Sequence, residues 1–139
     1  MKEVWNWIQI VVTAIGGVIG SFLGAGSPGG SVDGFLYALI VFVIIDYITG
    51  VMVGISQKKL SSEIGFKGIA KKVLIFLLVG VGSIIDTKIL GEGNVVRTAV
   101  VFFYLSNEGI SILENVSVIG LPIPQKLKDV LEQLNKEEK

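Results

Sequence analysis

The chain has 139 residues, of which 51% are hydrophobic and 17% charged, and its mean hydropathy is +0.73. A soluble domain carries about a quarter charged residues, so the composition indicates a one-domain membrane protein. The formal net charge is zero, which implies no nucleic-acid partner, and cysteine and histidine are both absent. Their absence excludes disulfides, Cys/His metal sites and thiol or imidazole catalysis, so we expect neither a metal nor a cofactor.

Four stretches are long and apolar enough to cross a bilayer, which takes about 20 helical residues. They cover residues 4–24, 34–56, 73–90 and 95–119. The fourth is the most polar, so three spans is the alternative to four. The prediction is an all-α, multi-pass transmembrane helical bundle over residues 1–120.

The first stretch contains no charge, and Trp5 and Trp7 near its start are typical of the membrane interface. A cleavable signal peptide, ending at the small residues 24–26, is the alternative. Glycines four residues apart let two helix backbones approach closely in lipid, either between subunits or within one. Such a helix-packing seam is predicted at Gly16, Gly20, Gly24, Gly50 and Gly54. For the last two glycines, which lie in the second stretch, we favour packing within one subunit.

Short turns are predicted at residues 27–31 and 91–94 by their glycines and proline. The longest internal connection, residues 57–72, holds five lysines against one acid, a net charge of +4, whereas the two turns are close to neutral. The positive-inside rule places this basic loop in the cytoplasm, and with four spans both termini as well. Its lysines are Lys58, Lys59, Lys67, Lys71 and Lys72.

Charged residues inside the apolar stretches are the most informative feature of the chain. A charge at the centre of a bilayer costs about 2.5–3.5 kcal/mol on insertion scales, so each must face another helix or water. Asp46 lies near the middle of its stretch, where an interhelical hydrogen bond and a role in conduction are both open. Asp86 is close enough to a helix end to reach water.

The fourth stretch carries a polar stripe whose spacing places its members on one helix face. The stripe consists of Arg97, Tyr104, Glu108, Ser111 and Asn115, and Glu114 lies nearer the end of the helix. Such a face lines water or holds acids inside a bundle. We expect Arg97 to meet Asp86, Glu92 or a lipid phosphate. The acids lie on separate helices without a nucleophile–base arrangement, so no enzyme activity is predicted.

Residues 121–139 are predicted to form a cytoplasmic tail. Pro122 and Pro124 end the fourth stretch, because proline cannot continue a helix. After them, apolar residues recur at i, i+3, i+4 and i+7, which indicates a short amphipathic helix. These residues are Leu127, Val130, Leu131 and Leu134.

Several short motifs occur in a specific order and spacing. They are IDYITGV (45–51), KLSS (59–62), GFKGI (65–69), KK (71–72), NEGISILEN (107–115) and GLPIP (120–124). Together they resemble the phage holin family that includes the clostridial toxin-secretion holins, over residues 36–134. The resemblance implies a homo-oligomeric protein of the bacterial cytoplasmic membrane, often described with three spans. Such proteins form holes at a set time that release an endolysin or a toxin, with no requirement for direct contact.

The resemblance implies no catalytic residues, and it leaves Asp46, Glu108 and Glu114 as candidates for structural or pore roles. Two other functions remain open from the residues alone. A small ion channel or transporter would use the acids to relay protons or bind cations, although inverted repeats and broken helices are not visible. A non-conducting membrane adaptor would recruit a partner through the basic loop and the amphipathic tail.

Overall fold

A computed structural model describes residues 1–24 and 32–137, so the predicted turn at residues 27–31 lies outside the described residues. The described chain is helical and contains no strand, which confirms the all-α class. Its helices are α1 (Lys2–Phe22), α2 (Val32–Ser56), α3 (Ser62–Ile84), α4 (Val95–Ile119) and α5 (Gln125–Glu137). A π-helical turn, Ile85–Ile89, continues α3.

Three helical segments in the described part of the chain are long and apolar enough to cross a membrane. They are Lys2–Phe22, Gly34–Ser56 and Ser62–Ile89. Helix α4 has 25 residues, about 37 Å, which is sufficient length. It is nevertheless too polar to qualify by composition, so composition supports the alternative of three spans rather than four.

The predicted loop at residues 57–72 is wrong over most of its length, because α3 begins at Ser62. The Ser61 hydroxyl accepts a hydrogen bond from the Ile64 amide at 3.2 Å, which satisfies one of the free N–H groups at the start of the helix. Lys67, Lys71 and Lys72 therefore lie on α3, and only Lys58 and Lys59 remain in the turn. The lysines interrupt the hydrophobic run without interrupting the helix.

Helices α2, α3 and α4 pack together, and α4 lies along α2 over most of its length. The core between them is small. Its fully buried apolar side chains are Leu39 of α2, Val79 of α3 and Val101 of α4. Helix α5 contacts α4, and its Leu127 and Val130 remain about half exposed. The side chains of Leu131 and Leu134 lie outside the described part.

Helix α1 buries none of its residues and, among the described elements, packs only against α3. It ends at Phe22, so Gly24 is not part of the predicted helical seam. Gly24 has φ +75°, and its backbone lies against the side chains of Ser83 and Arg97. Gly20 remains on α1, and no atom of the described residues lies near the position of a side chain at Gly16.

Two glycines of α3 permit the close packing of neighbouring elements. A methyl group at Gly80 would overlap the ring of Phe22. Because Gly80 has no side chain, Phe22 at the end of α1 can pack directly against α3. A methyl group at Gly82 would lie 3.0 Å from Cα and 3.2 Å from the amide nitrogen of Arg97, so the backbones of α3 and α4 meet there. Gly50 and Gly54 of α2 face Asn115 and Leu60 of the same chain.

We predict that Gly82→Val lowers the free energy of unfolding in detergent micelles by about 1–3 kcal/mol, the usual cost of overpacking. The branched side chain would push against the α4 backbone, which cannot rotate away. Gly34→Val is the matched control, because Gly34 lies on the exposed surface of α2 and its new side chain enters open space. Equal stability of the two variants in denaturant titrations would contradict the close approach of α3 and α4.

Candidate functional site

A buried ion cluster joins the three packed helices. The Lys72 ammonium of α3 donates hydrogen bonds to Asp46 Oδ2 of α2 at 2.6 Å and to Glu108 Oε2 of α4 at 2.8 Å. The three side chains are only 10–15% exposed. One ammonium therefore links three helices through two charge-assisted hydrogen bonds, which are about twice as strong as neutral ones.

Asn115 and Thr49 complete the cluster. The Asn115 amide nitrogen lies 3.0 Å from Asp46 Oδ1 and 3.0 Å from the Thr49 hydroxyl oxygen. Thr49 in turn donates to the Ile45 carbonyl one helical turn earlier at 2.8 Å. Both carboxylate oxygens of Asp46 thus accept a hydrogen bond, which offsets much of the cost of removing this group from water.

The cluster forms because its members lie at one depth in the bundle. Asp46 lies ten residues before the end of α2, Lys72 ten residues after the start of α3, and Glu108 eleven residues before the end of α4. Each is about 15 Å along its helix from the end of the bundle that carries the α2–α3 turn. The cluster is therefore far from both ends of α2 and α4.

A partly open cavity of about 400 Å³ extends from the cluster towards the α2–α3 turn. Ser111 and Asn115 of α4 line it beside the ion cluster, and Leu60, Gly68 and Lys71 line it nearer the turn. Its volume is many times the ~30 Å³ that one water occupies in the liquid, and its inner wall is polar, so the cavity can hold water.

Charge is not balanced within the cluster. One ammonium facing two carboxylates leaves a formal charge of −1 when all three groups are ionised. Such a group is costly inside a membrane unless water or a further cation compensates it. The cavity beside it offers access to water from the side of the turn.

A second buried polar contact lies at the opposite end of the bundle. Asp86, on the π-helical turn, accepts hydrogen bonds from the amides of Val96 at 3.0 Å and Arg97 at 2.9 Å. It thereby caps the start of α4, where Asn94 makes no side-chain cap of its own. The Arg97 side chain donates from Nε to the Leu23 carbonyl at the end of α1. Asp86 is 1% exposed and Arg97 is 3% exposed. The expectation that Asp86 reaches water from near a helix end is therefore wrong, because the start of α4 covers it.

The polar residues predicted from sequence separate into four places. Asp46, Glu108, Ser111 and Asn115 meet at the cavity, whereas Asp86 and Arg97 meet at the far end. Tyr104 packs against the apolar core, with its ring edge-on to Phe103 at 4.9 Å. Glu114 is exposed and borders a groove between α4 and α5.

Sequence reasoning missed Lys72 and Thr49 as members of the cluster. Lys72 was grouped with the basic loop, although its spacing from Ile75, Val79 and Asp86 places it on the buried face of α3. This helical spacing was the signal in the sequence that could have identified Lys72 as a buried residue. Thr49 lies one turn after Asp46, and its role depends on a partner from α4 that local sequence does not reveal.

We predict that Lys72→Met lowers the free energy of unfolding in detergent micelles by about 3–5 kcal/mol, because removing one partner leaves buried carboxylates uncompensated. Lys71→Met is the control, since Lys71 is the adjacent lysine and is exposed. Denaturant titrations of both variants measure the difference. If Lys72→Met were no less stable than Lys71→Met, the cluster would not hold the helices together.

Comparison with known proteins finds similar bacterial and phage proteins. An uncharacterized 14.9 kDa protein of Clostridium perfringens is 41% identical over 97% of this chain and 98% of its own length. The uncharacterized protein Lmo0128 of Listeria monocytogenes is 47% identical, over 73% of this chain and 72% of its own. A protein of Bacillus phage phi105 named as a probable holin is 42% identical, over 70% of this chain and 71% of its own. No solved structure matches the chain.

The model of the bacteriophage holin family matches residues 25–136, which include α2 to α4 and therefore the whole ion cluster. The match begins after α1, so the first helix is not covered by the family pattern. From the extent of this match and the likeness to the phage protein, the chain belongs to the bacteriophage holin family.

Proposed function

We propose that the protein is a non-enzymatic holin. It oligomerises in the bacterial cytoplasmic membrane and forms holes at a set time, through which an endolysin or a toxin leaves the cell. Family membership supports the class of activity. The observation that carries the proposal is the buried ion cluster, in which Lys72 of α3 joins Asp46 of α2 and Glu108 of α4.

In the proposed arrangement α4 crosses the membrane as the inner helix of each subunit. Its polar face bears Glu108, Ser111 and Asn115, which would be unfavourable against lipid. Packing of this face against α2 and α3 supplies partners for those groups. The low hydropathy of α4 is then compatible with a fourth crossing, because lipid contacts only its other side.

The cluster is suited to hold a subunit in a closed form. While Lys72 binds both carboxylates, α4 stays packed and its polar face is covered. If the cluster opens during assembly, the same face becomes available to line water. The adjacent cavity would favour that opening, because ionised groups are more stable in water than in a bundle.

The two rival functions differ from this one in what they let through. A small cation channel or transporter would use the charged cavity itself and pass ions only. A membrane adaptor would pass nothing. Purified protein in lipid vesicles that contain both an ion-sensitive dye and a labelled protein of endolysin size separates the three. A holin releases the labelled protein, a channel or transporter changes only the signal of the dye, and an adaptor changes neither.

We predict that Asp46→Asn and Glu108→Gln insert normally but start dye release earlier than the parent. Each replaces a charge-assisted hydrogen bond, worth about 1.5–3 kcal/mol, by a neutral one of about 0.5–1.5 kcal/mol. Glu114→Gln is the control, since Glu114 is exposed and outside the cluster. Onset of dye release after induction in bacteria, at matched membrane levels, measures the effect. If dye release began at the same time in the parent and in all three variants, the carboxylates would have a packing role alone.

We further predict that the α2–α3 turn is cytoplasmic, because Lys58 and Lys59 in the turn and Lys67 and Lys71 beyond it are exposed. The chain contains no cysteine, so single cysteines report position without background. Before induction of leakage, an impermeant maleimide should label Glu92→Cys in intact cells and Lys59→Cys only in lysed cells. The reverse pattern would invert the orientation.

A further inference from the structure

Between residues 4 and 20, helix α1 carries a narrow polar stripe on an otherwise apolar surface. At 3.6 residues per turn, the stripe residues fall within an arc of about 80°. They are Asn6, Gln9, Thr13, Gly16 and Gly20. The opposite side of the helix bears apolar side chains, including Val4, Trp7, Val11 and Val18. The stripe therefore divides α1 into two chemically different faces.

The stripe points away from the rest of its own chain. Helix α1 reaches α3 through Phe22, whose ring lies against Gly80. Phe22 belongs to the apolar side of α1, about 160° around the helix from the centre of the stripe. The polar groups are thus on the outer side of α1, where the bundle cannot cover them.

Within the described chain, the side chains of Asn6, Gln9 and Thr13 have no hydrogen-bond partner. They are exposed and border a shallow surface groove together with Ile10 and Ala14. Helix α1 is also one of the segments apolar enough to span a membrane. In hydrocarbon an amide or hydroxyl without a partner costs several kcal/mol, so these groups require protein or water beside them.

We propose that this stripe is the surface through which α1 pairs, in parallel, with α1 of a second copy of the chain. Copies inserted with the same orientation and related by a two-fold axis bring each residue against its equivalent. An asparagine or glutamine amide carries both a donor and an acceptor, so two equivalent amides satisfy each other. Gly16 and Gly20 continue the stripe and let the backbones approach.

The pairing rests on the proposed assembly of the holin but is not part of the family pattern, since the family match begins at residue 25, after α1 ends. Water in a hole is the other occupant that could satisfy the amides. The geometry favours a second helix, because the stripe ends in two glycines. A glycine has no side chain that could hydrogen-bond to water, but it lets a second helix backbone approach closely.

Engineered cysteines test the pairing in the full chain, which has none of its own. Thr13→Cys lies on the stripe, and Val11→Cys lies at nearly the same depth on the opposite face. In membranes under mild oxidation, we expect Thr13→Cys to form disulfide-linked dimers several-fold faster than Val11→Cys. Adding Gln9→Leu to Thr13→Cys should reduce dimer formation about threefold, as expected for the loss of one interhelical hydrogen bond in lipid.

Equal or faster dimer formation by Val11→Cys would overturn the pairing. So would labelling of Thr13→Cys by a water-soluble maleimide in place of cross-linking, since the stripe would then face water. Vesicle leakage is measured on the same variants. If leakage persists without cross-linking through the stripe, the pairing fails while the holin proposal stands. Absence of leakage from the parent protein would instead contradict the holin proposal, whatever the cysteines report.

Discussion

The bundle depends on one constraint, which is that the ammonium of Lys72 must stay between two carboxylates on different helices. Asp46 and Glu108 have no other cation among the described ion pairs, and Lys72 has no other carboxylate. Few apolar side chains are fully buried between these helices. A small core gives the polar contacts an unusually large share in determining how α2, α3 and α4 are arranged.

The same constraint explains the ambiguous hydropathy of α4. A helix that meets lipid on every side must be apolar all round, whereas one that turns a polar face towards partners needs apolar residues only on its outer side. Glu108, Ser111 and Asn115 occupy the inner face. If α4 crosses the membrane as proposed, composition alone underestimates its compatibility with lipid, because it averages over two faces with different surroundings.

The sequence predicts where most of the helices lie, but it does not predict which side chains meet between them. Hydrophobic runs identify α1, α2 and α4 within a few residues, since length and apolarity are local properties. The start of α3 was missed because lysines interrupt its apolar run and the cap at Ser61 is a single weak signal. Helical spacing placed Glu108 and Asn115 on one face. It could not place Lys72 between Asp46 and Glu108, since that depends on how three separate helices pack.

Asp86 caps α4 from the preceding segment, and this has a consequence for the order in which the chain is built. Three buried or half-buried polar contacts of α4 have their partners earlier in the sequence. The first amides bind Asp86, Glu108 binds Lys72, and Asn115 binds Asp46. A ribosome therefore delivers the acceptors and the cation before the helix that needs them. Helix α4 can therefore pack against α2 and α3 as soon as it is synthesised, so that its charged groups are not left in lipid without partners.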